Sequence, residues 1–178
     1  MPVDLRPPAA GDEAFLHEML READRWRLPI DAPRPPLAEI LADPHVRVYV
    51  EGWGRPGDDG IVAEVAGSRV GACWLRLFGE ESHGWGFVGP DVPELSIAVA
   101  PRWRRRGIGR RLLAAAVARA EQLGHPALSL SVMPENPARE LYLQAGFRRV
   151  AVVDGSWTMT LRLPRDAAGR RSPVPARP

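Results

Sequence analysis

Three arginines run into two glycines at Arg104-Arg105-Arg106-Gly107-Ile108-Gly109, and Arg110 and Arg111 follow directly. Glycine at 107 and 109 lets the main chain approach a ligand closely, and a helix starting there leaves about four N–H groups without intrahelical partners. Those donors, the positive end of the helix dipole and the flanking guanidinium groups suit a phosphate or pyrophosphate. No Gly-Lys-Ser/Thr follows, so this is not a P-loop. A dinucleotide fingerprint fits poorly too, because the first glycine of G-x-G-x-x-G is missing and the preceding strand lies mid-chain. The plainer reading is an exposed basic helix end. Arginine at a helix N-terminus is unfavourable by some tenths of a kcal/mol unless an anion compensates, which favours the anion site.

Other reactive residue types are scattered. Cys73 stands alone inside an apolar strand pattern, as a buried and inert thiol would. His17, His45, His83 and His125 share no metal-ligand spacing, so no metal is expected.

The elements that must hold the arginine turn are legible on both sides. Leu95, Ile97 and Val99 alternate with Ser96, Ala98 and Ala100 as in a strand that Pro101 stops. From Ile108 the apolar positions 108, 112, 113, 116, 117, 120 and 123 have helical spacing with one buried face, and Gly124 supplies the stop. Ala127 to Val132 reads as a buried strand. Asn136 and Pro137 then open a helix as N-cap and first residue, with Ala138, Leu141, Tyr142 and Ala145 inward and Gly146-Phe147 closing it.

Arg104-x-x-Gly107-x-Gly109 after an apolar strand carrying Glu94 resembles the coenzyme A pyrophosphate loop of the GNAT superfamily of N-acetyltransferases. A second block, Leu128 to Phe147, resembles the next strand and helix of that superfamily, with Asn136, Ala138, Leu141-Tyr142 and Gly146-Phe147 in the expected places. The two blocks cover roughly a third of the chain, and weaker similarity reaches from Leu5 to Leu163. The resemblance implies an α/β (α+β) fold: a mixed, mostly antiparallel sheet of about seven strands, flanked by about four helices, with one splayed strand pair opening a cofactor cleft. It implies one domain over residues 1–163, acetyl-CoA as cosubstrate, no metal, and a primary amine acceptor, either a small molecule or a protein amine. A homodimer is common among such look-alikes.

Acetyl transfer to an amine needs a neutral amine, a polarised thioester carbonyl and a proton for the departing thiolate. A lysine-like amine with pKa of about 10.4 is neutral in fewer than about 1 in 1,000 molecules at pH 7, so a base or desolvation must supply that form. Glu94 is the candidate base, acting through a water; otherwise it is a solvated carboxylate at a strand end. Tyr142 is the candidate acid by its place in the family pattern; otherwise its ring is core and its hydroxyl rests on a convenient acceptor. Main-chain groups of Ile97, Ala98 and Val99 are expected to polarise the carbonyl and hold pantetheine, since the family's strand parts there from the next one. The anion site is assigned to Arg104, Arg105, Arg106, Gly107, Ile108, Gly109 and Arg110. Asn136 and Tyr142 are expected to touch the cofactor as well, although capping alone explains Asn136.

Bulk properties set outer limits. A chain of 178 residues that is 45% hydrophobic suits one ordinary domain with a real core. All 24 basic residues are arginine, yet the net charge is only +2, so charge alone does not imply nucleic acid. RRRGIGRR lacks the interleaved aromatics of a nucleic-acid module. An acyl-CoA sensor without turnover is the alternative to an enzyme, and the pairing of Glu94 with Tyr142 argues against it. No leader pattern and no run approaching about 18 apolar residues is present, so a cytoplasmic protein with no membrane partner is expected.

The first half is less regular. Val3 to Arg6 is a short strand, and a helix runs from near Asp12 to about Trp26 with Phe15, Leu16, Met19, Leu20 and Ala23 inward. A second helix lies near Leu37 to Leu41. Residues 43–53 fit both periods, and Asp43-Pro44 tips them to helix. In the resemblance these helices wall the acceptor side, where Trp26, Tyr49 and Trp53 are either lining or core. A hairpin is expected over 61–78 around Gly67-Ser68, a loop over 79–92 that either selects substrate or merely connects, and a closing hairpin over 147–163. The proline- and arginine-rich 164–178 is expected to be disordered.

Overall fold

Alternation along a single central strand divides the core in two. Leu95 packs with Ile108, Leu112 and Leu113 on one side of the sheet, whereas Ala98 packs with Leu16, Leu20 and Tyr49 on the other. A computed structural model describes residues 2–29 and 32–164. The tail expected to be disordered lies, from residue 165 onward, outside the described residues.

The strands are β1 (Asp4–Arg6), β2 (Asp59–Val65), β3 (Ser68–Arg76), β4 (Glu94–Val99), β5 (Ala127–Val132), β6 (Arg148–Val153) and β7 (Ser156–Arg162). They form one sheet in the order β1-β2-β3-β4-β5-β7-β6. All neighbours are antiparallel except β4 and β5, which are parallel. The helices are α1 (Glu13–Asp24), α2 (Leu37–Ala42), α3 (Pro44–Arg47), α4 (Ile108–Gln122) and α5 (Ala138–Gln144), so the described residues hold five where about four were expected. None is long and apolar enough to cross a membrane.

Helix α4 is held by its buried face of Ile108, Leu112, Leu113, Ala116 and Ala120. Each leucine so buried is worth about 1.5–3 kcal/mol. Its C-terminal stop is Gly124 at φ 75°, and its start is Gly107 in the left-handed region at φ 78°.

Three local expectations shift. Residues 43–53 give only one turn of helix: the Asp43 side chain accepts the His45 N–H at 2.8 Å, but Gly52 and Gly54 at φ 60° and 99° carry the chain out into turns. The first hairpin turns at Ala66-Gly67, one residue earlier than expected, with both residues at positive φ as a type I′ turn needs. Helix α5 starts at Ala138, although Asn136 still caps it by accepting the Ala138 N–H at 2.9 Å.

Candidate active site

Strands β4 and β5 meet at the single register pair Glu94 and Ser129 and then part. The Ala100 amide donates to the Val70 carbonyl of β3 at 2.9 Å. By alternation the polar main-chain groups of Ser96 and Ala98 also face β3, and those of Ile97 and Val99 face the gap toward β5. The expectation that Ala98 lends main-chain groups to the opening is therefore corrected. Its backbone is spent on β3, and its side chain is buried on the α1 side.

At the far end of the gap, none of the main-chain N–H groups from Arg105 to Arg110 finds an acceptor among the described residues. The first helical bond of α4 is Arg111 N–H to the Gly107 carbonyl, 3.2 Å. Arg105 at φ 61° and Gly107 at φ 78° turn this run into a concave set of donors, exposed at Arg105, Arg106 and Gly107. Unpaired amides in such a cluster need an anion or water.

The arginines divide by role. Arg104 has two of its three guanidinium nitrogens engaged: Nε donates to the Val99 carbonyl at 2.9 Å and Nη2 to Glu22 Oε2 at 3.0 Å. It braces the turn through these two nitrogens, while its side chain stays 29% exposed. Arg106 lies over the Trp103 ring at 5.0 Å, and exposed Arg110 reaches Gln144 at 3.4 Å. Ile108 is buried, so only its amide is available, while Gly109 packs where a Cβ would meet Leu141 at 3.6 Å. From Arg110 a groove of about 370 Å³ runs between α4 and α5, and an open depression of about 400 Å³ adjoins Ala100 to Trp103 and Arg34.

The Arg104 brace ends in a buried carboxylate that the helical periodicity of α1 does not reveal. Glu22 is 3% exposed and pairs with Arg104 (3.0 Å), Arg34 (3.3 Å) and buried Arg25 (3.6 Å). A buried carboxylate must be paired, and here the pairing ties α1 to the turn before α4.

Glu94, at the start of β4, is buried rather than solvated, with 2% exposure. Its Oε1 accepts the Tyr49 hydroxyl at 2.6 Å and the Gly86 N–H at 2.8 Å, whereas its Oε2 is buried with no hydrogen-bond partner. Burial pushes its pKa up to about 7, against the pull of the Tyr49 and Gly86 hydrogen bonds and of His83. Desolvation and the adjacent carboxylate hold the Tyr49 phenol well above its usual range. The 79–92 segment is thus more than a surface connection. Gly84 and Gly86 are buried against Glu94; a Cβ on Gly84 would strike the Tyr49 hydroxyl, and one on Gly86 would lie 2.6 Å from Glu94 Oε1. Of the three aromatic residues expected at the wall, only Tyr49 contacts a candidate catalytic group through a hydrogen bond; Trp53 stacks on Arg76 and Trp26 on Arg27.

Tyr142 faces the other half of the core, packed beside Phe147 with ring centres 5.9 Å apart. Its hydroxyl makes no hydrogen bond to any described residue. Desolvation and, next, the nearby Cys73 raise its pKa, so the phenol stays protonated through the physiological range. Tyr142 packs in the core on the α4 face of the sheet, whereas Glu94, by strand alternation with Ala98, belongs to the opposite face. Among the described residues no cluster of His, Cys, Asp or Glu forms a metal site.

The family profile described as "Acetyltransferase (GNAT) family" matches residues 16–147. No curated protein matches the sequence. Among solved structures, the PaiA N-acetyltransferase of Thermoplasma acidophilum in complex with coenzyme A is 16% identical with a TM-score of 0.67, over 91% of this chain and 99% of that one. A phosphinothricin acetyltransferase of Sinorhizobium meliloti in complex with acetyl-CoA is 21% identical with a TM-score of 0.64, over 97% and 94%. A ribosomal-protein-alanine N-acetyltransferase of Brucella melitensis is 23% identical with a TM-score of 0.65, over 90% and 99%.

Proposed function

The chain belongs to the acetyltransferase (GNAT) family, and from that premise we propose that it transfers an acetyl group from acetyl-CoA to a primary amine by direct attack. The observation that carries this reading is the unpaired run of amides from Arg105 to Arg110 beside the parted strands β4 and β5. The run suits a diphosphate, and the free edge of β4 suits the amides of pantetheine, which would add to it as a partial strand. That two solved relatives of the same fold hold coenzyme A or acetyl-CoA supports the choice of carrier.

Bound acetyl-CoA supplies a thioester carbonyl activated toward nitrogen. The Ile97 and Val99 N–H groups, turned to the gap, are the donors that polarise it. Arg105, Arg106 and Arg110 add positive charge around the diphosphate, and Arg104 holds the turn in place from behind. Glu94, with its pKa near neutrality, takes the proton of the attacking amine directly or through a water, which matches the requirement for a base poised near working pH. Tyr142 gives a proton to the departing sulfur. Burial raises the pKa of its phenol, and the same low dielectric raises that of a thiol leaving beside it, so the transfer does not become more uphill than in water. Asn136 is proposed to touch the carrier through the side-chain nitrogen that its capping bond leaves free.

The acceptor is proposed to be either a small-molecule amine or a protein amine, approaching from the α1 and Tyr49 side. Thiol release from acetyl-CoA across a panel of amino acids, polyamines and peptide α-amines tests the reading. Release that depends on an amine supports it; binding of acetyl-CoA without release for any amine turns it into a sensor.

A further inference from the structure

Tyr49 and Glu94 are separated by 45 residues, yet their side chains share the shortest hydrogen bond at the site, 2.6 Å, in a buried setting. The tyrosine is itself fixed. Its carbonyl accepts the Trp74 indole N–H at 3.0 Å, its ring packs edge-on against Phe78, and its hydroxyl accepts the Trp85 N–H at 2.9 Å. With the Gly86 N–H at 2.8 Å, Glu94 Oε1 receives two donors and has no room for a proton. Oε2 receives none and is buried.

Resting on the assignment of Glu94 as the base, we propose that Tyr49 is its positioning residue: the phenol pins Oε1, ties it to the 79–92 loop through Trp85, and leaves Oε2 as the one atom that takes the proton of the amine. In turnover the amine nitrogen bonds to the acetyl carbon as the C–S bond of the thioester breaks. The amine proton passes to Oε2 directly or through a water, the departing thiolate takes the Tyr142 proton, and release of the Oε2 proton to solvent and reprotonation of Tyr142 from solvent restore the starting state. Tyr49 keeps its own proton throughout, since its phenol is raised well above neutral pH. The charged and titratable groups packed around Glu94 are few. Arg76, its register partner on β3, is committed to Asp58 at 2.6 Å. His83 comes from the loop, Tyr49 from the turn after α3, and β5 presents the neutral Ser129.

The test follows the Glu94 carboxyl directly, by ¹³C NMR of protein labelled at glutamate side-chain carboxyls, with Glu94→Gln identifying the signal. In Tyr49→Phe the Glu94 midpoint moves up by about one pH unit, a tenfold change in proton affinity, because a donor to the ionised form is lost. The acid limb of kcat/KM moves with it, and kcat falls by about tenfold or more while the KM for acetyl-CoA holds. An unmoved midpoint overturns the proposal. Should Tyr49→Phe not fold, the chain's only other tyrosine is Tyr142, so 3-fluorotyrosine in a Tyr142→Phe background labels Tyr49 alone. Its ¹⁹F shift must then titrate with the Glu94 midpoint and stop doing so in Glu94→Gln; a shift indifferent to Glu94 overturns the proposal. These titrations need no turnover. A moved midpoint with full activity in Glu94→Gln would remove the base assignment while leaving the Tyr49 contact standing.

Discussion

Arg104 donates its Nε–H to the Val99 carbonyl at 2.9 Å and reaches Glu22 with the far end of the same guanidinium. The bond closes off the last carbonyl of β4 and leaves the Val99 amide facing the gap. It also fastens the start of the turn whose bend is made by Arg105 at φ 61° and Gly107 at φ 78°. One side chain thus shapes both the carbonyl-binding and the phosphate-binding parts of the proposed cleft.

Glu22→Ala should lower stability by about 3 kcal/mol, because Arg25, 3% exposed, loses its counter-charge and has no route to water. Thermal melting measures this. The same variant should raise the KM for acetyl-CoA by a few-fold, since Arg104 loses its anchor; a melt within error of the parent would show that the network contributes nothing.

Gly107→Asp should raise the KM for acetyl-CoA by about tenfold or more with a smaller effect on kcat. No atom lies near a Cβ at this position, so the effect comes from the carboxylate beside the diphosphate and from a side chain at φ 78°. Gly107→Ala carries the backbone strain alone and separates the two causes.

Tyr142→Phe should leave the melting temperature nearly unchanged, because the lost hydroxyl has no partner among the described residues, while kcat falls by about 10². Equal kcat in the two proteins would return Tyr142 to a purely structural role.

Stability should depend on pH through Glu94. Its folded pKa of about 7 lies above the unfolded value of 4.5, so the folded state binds the proton more tightly. Its contribution is complete below about pH 4.5 and is lost as pH rises to about 7, a difference of about 3 kcal/mol at most. Urea titrations at pH 5 and pH 8 measure it, and Glu94→Gln should flatten the difference. Asp12 acts in the opposite sense: Arg6 holds its pKa well below the usual carboxylate range, so its contribution is complete above about pH 3.8 and is lost progressively as the pH falls below that.

Ala66→Asn or Ala66→Gly should stabilise the protein by up to about 1 kcal/mol, since Ala66 sits at φ 49° in a turn that favours those residues. Denaturant midpoints check this.

Much of this arrangement is written locally. Strand β4, the arginine turn and α4 follow from a change of apolar period and two glycines, and the structure keeps their bounds. What resists local reading is long-range pairing. Arg104 carries the pattern of an anion ligand, but its partner Glu22 is distant in sequence and occupies a position that looks polar and solvated. Tyr49 belongs to a stretch with two competing periods, and its partner Glu94 is set by how the 79–92 loop folds inward. Gly84 and Gly86 carry a signal that was available: two glycines flanking a tryptophan mark a chain that must pass close to something. The backbone of Ala98 illustrates the same limit, since strand alternation fixes which residues share a face but not which face opens toward the parted strand.

Calorimetric titration of the full chain with acetyl-CoA tests the central claim, that the unpaired amides after Val99 and the free edge of β4 form the seat of an acyl carrier. The account predicts saturable one-to-one binding with a favourable heat, weakened by salt and by Gly107→Asp. No heat at millimolar acetyl-CoA, or binding indifferent to Gly107→Asp, contradicts it.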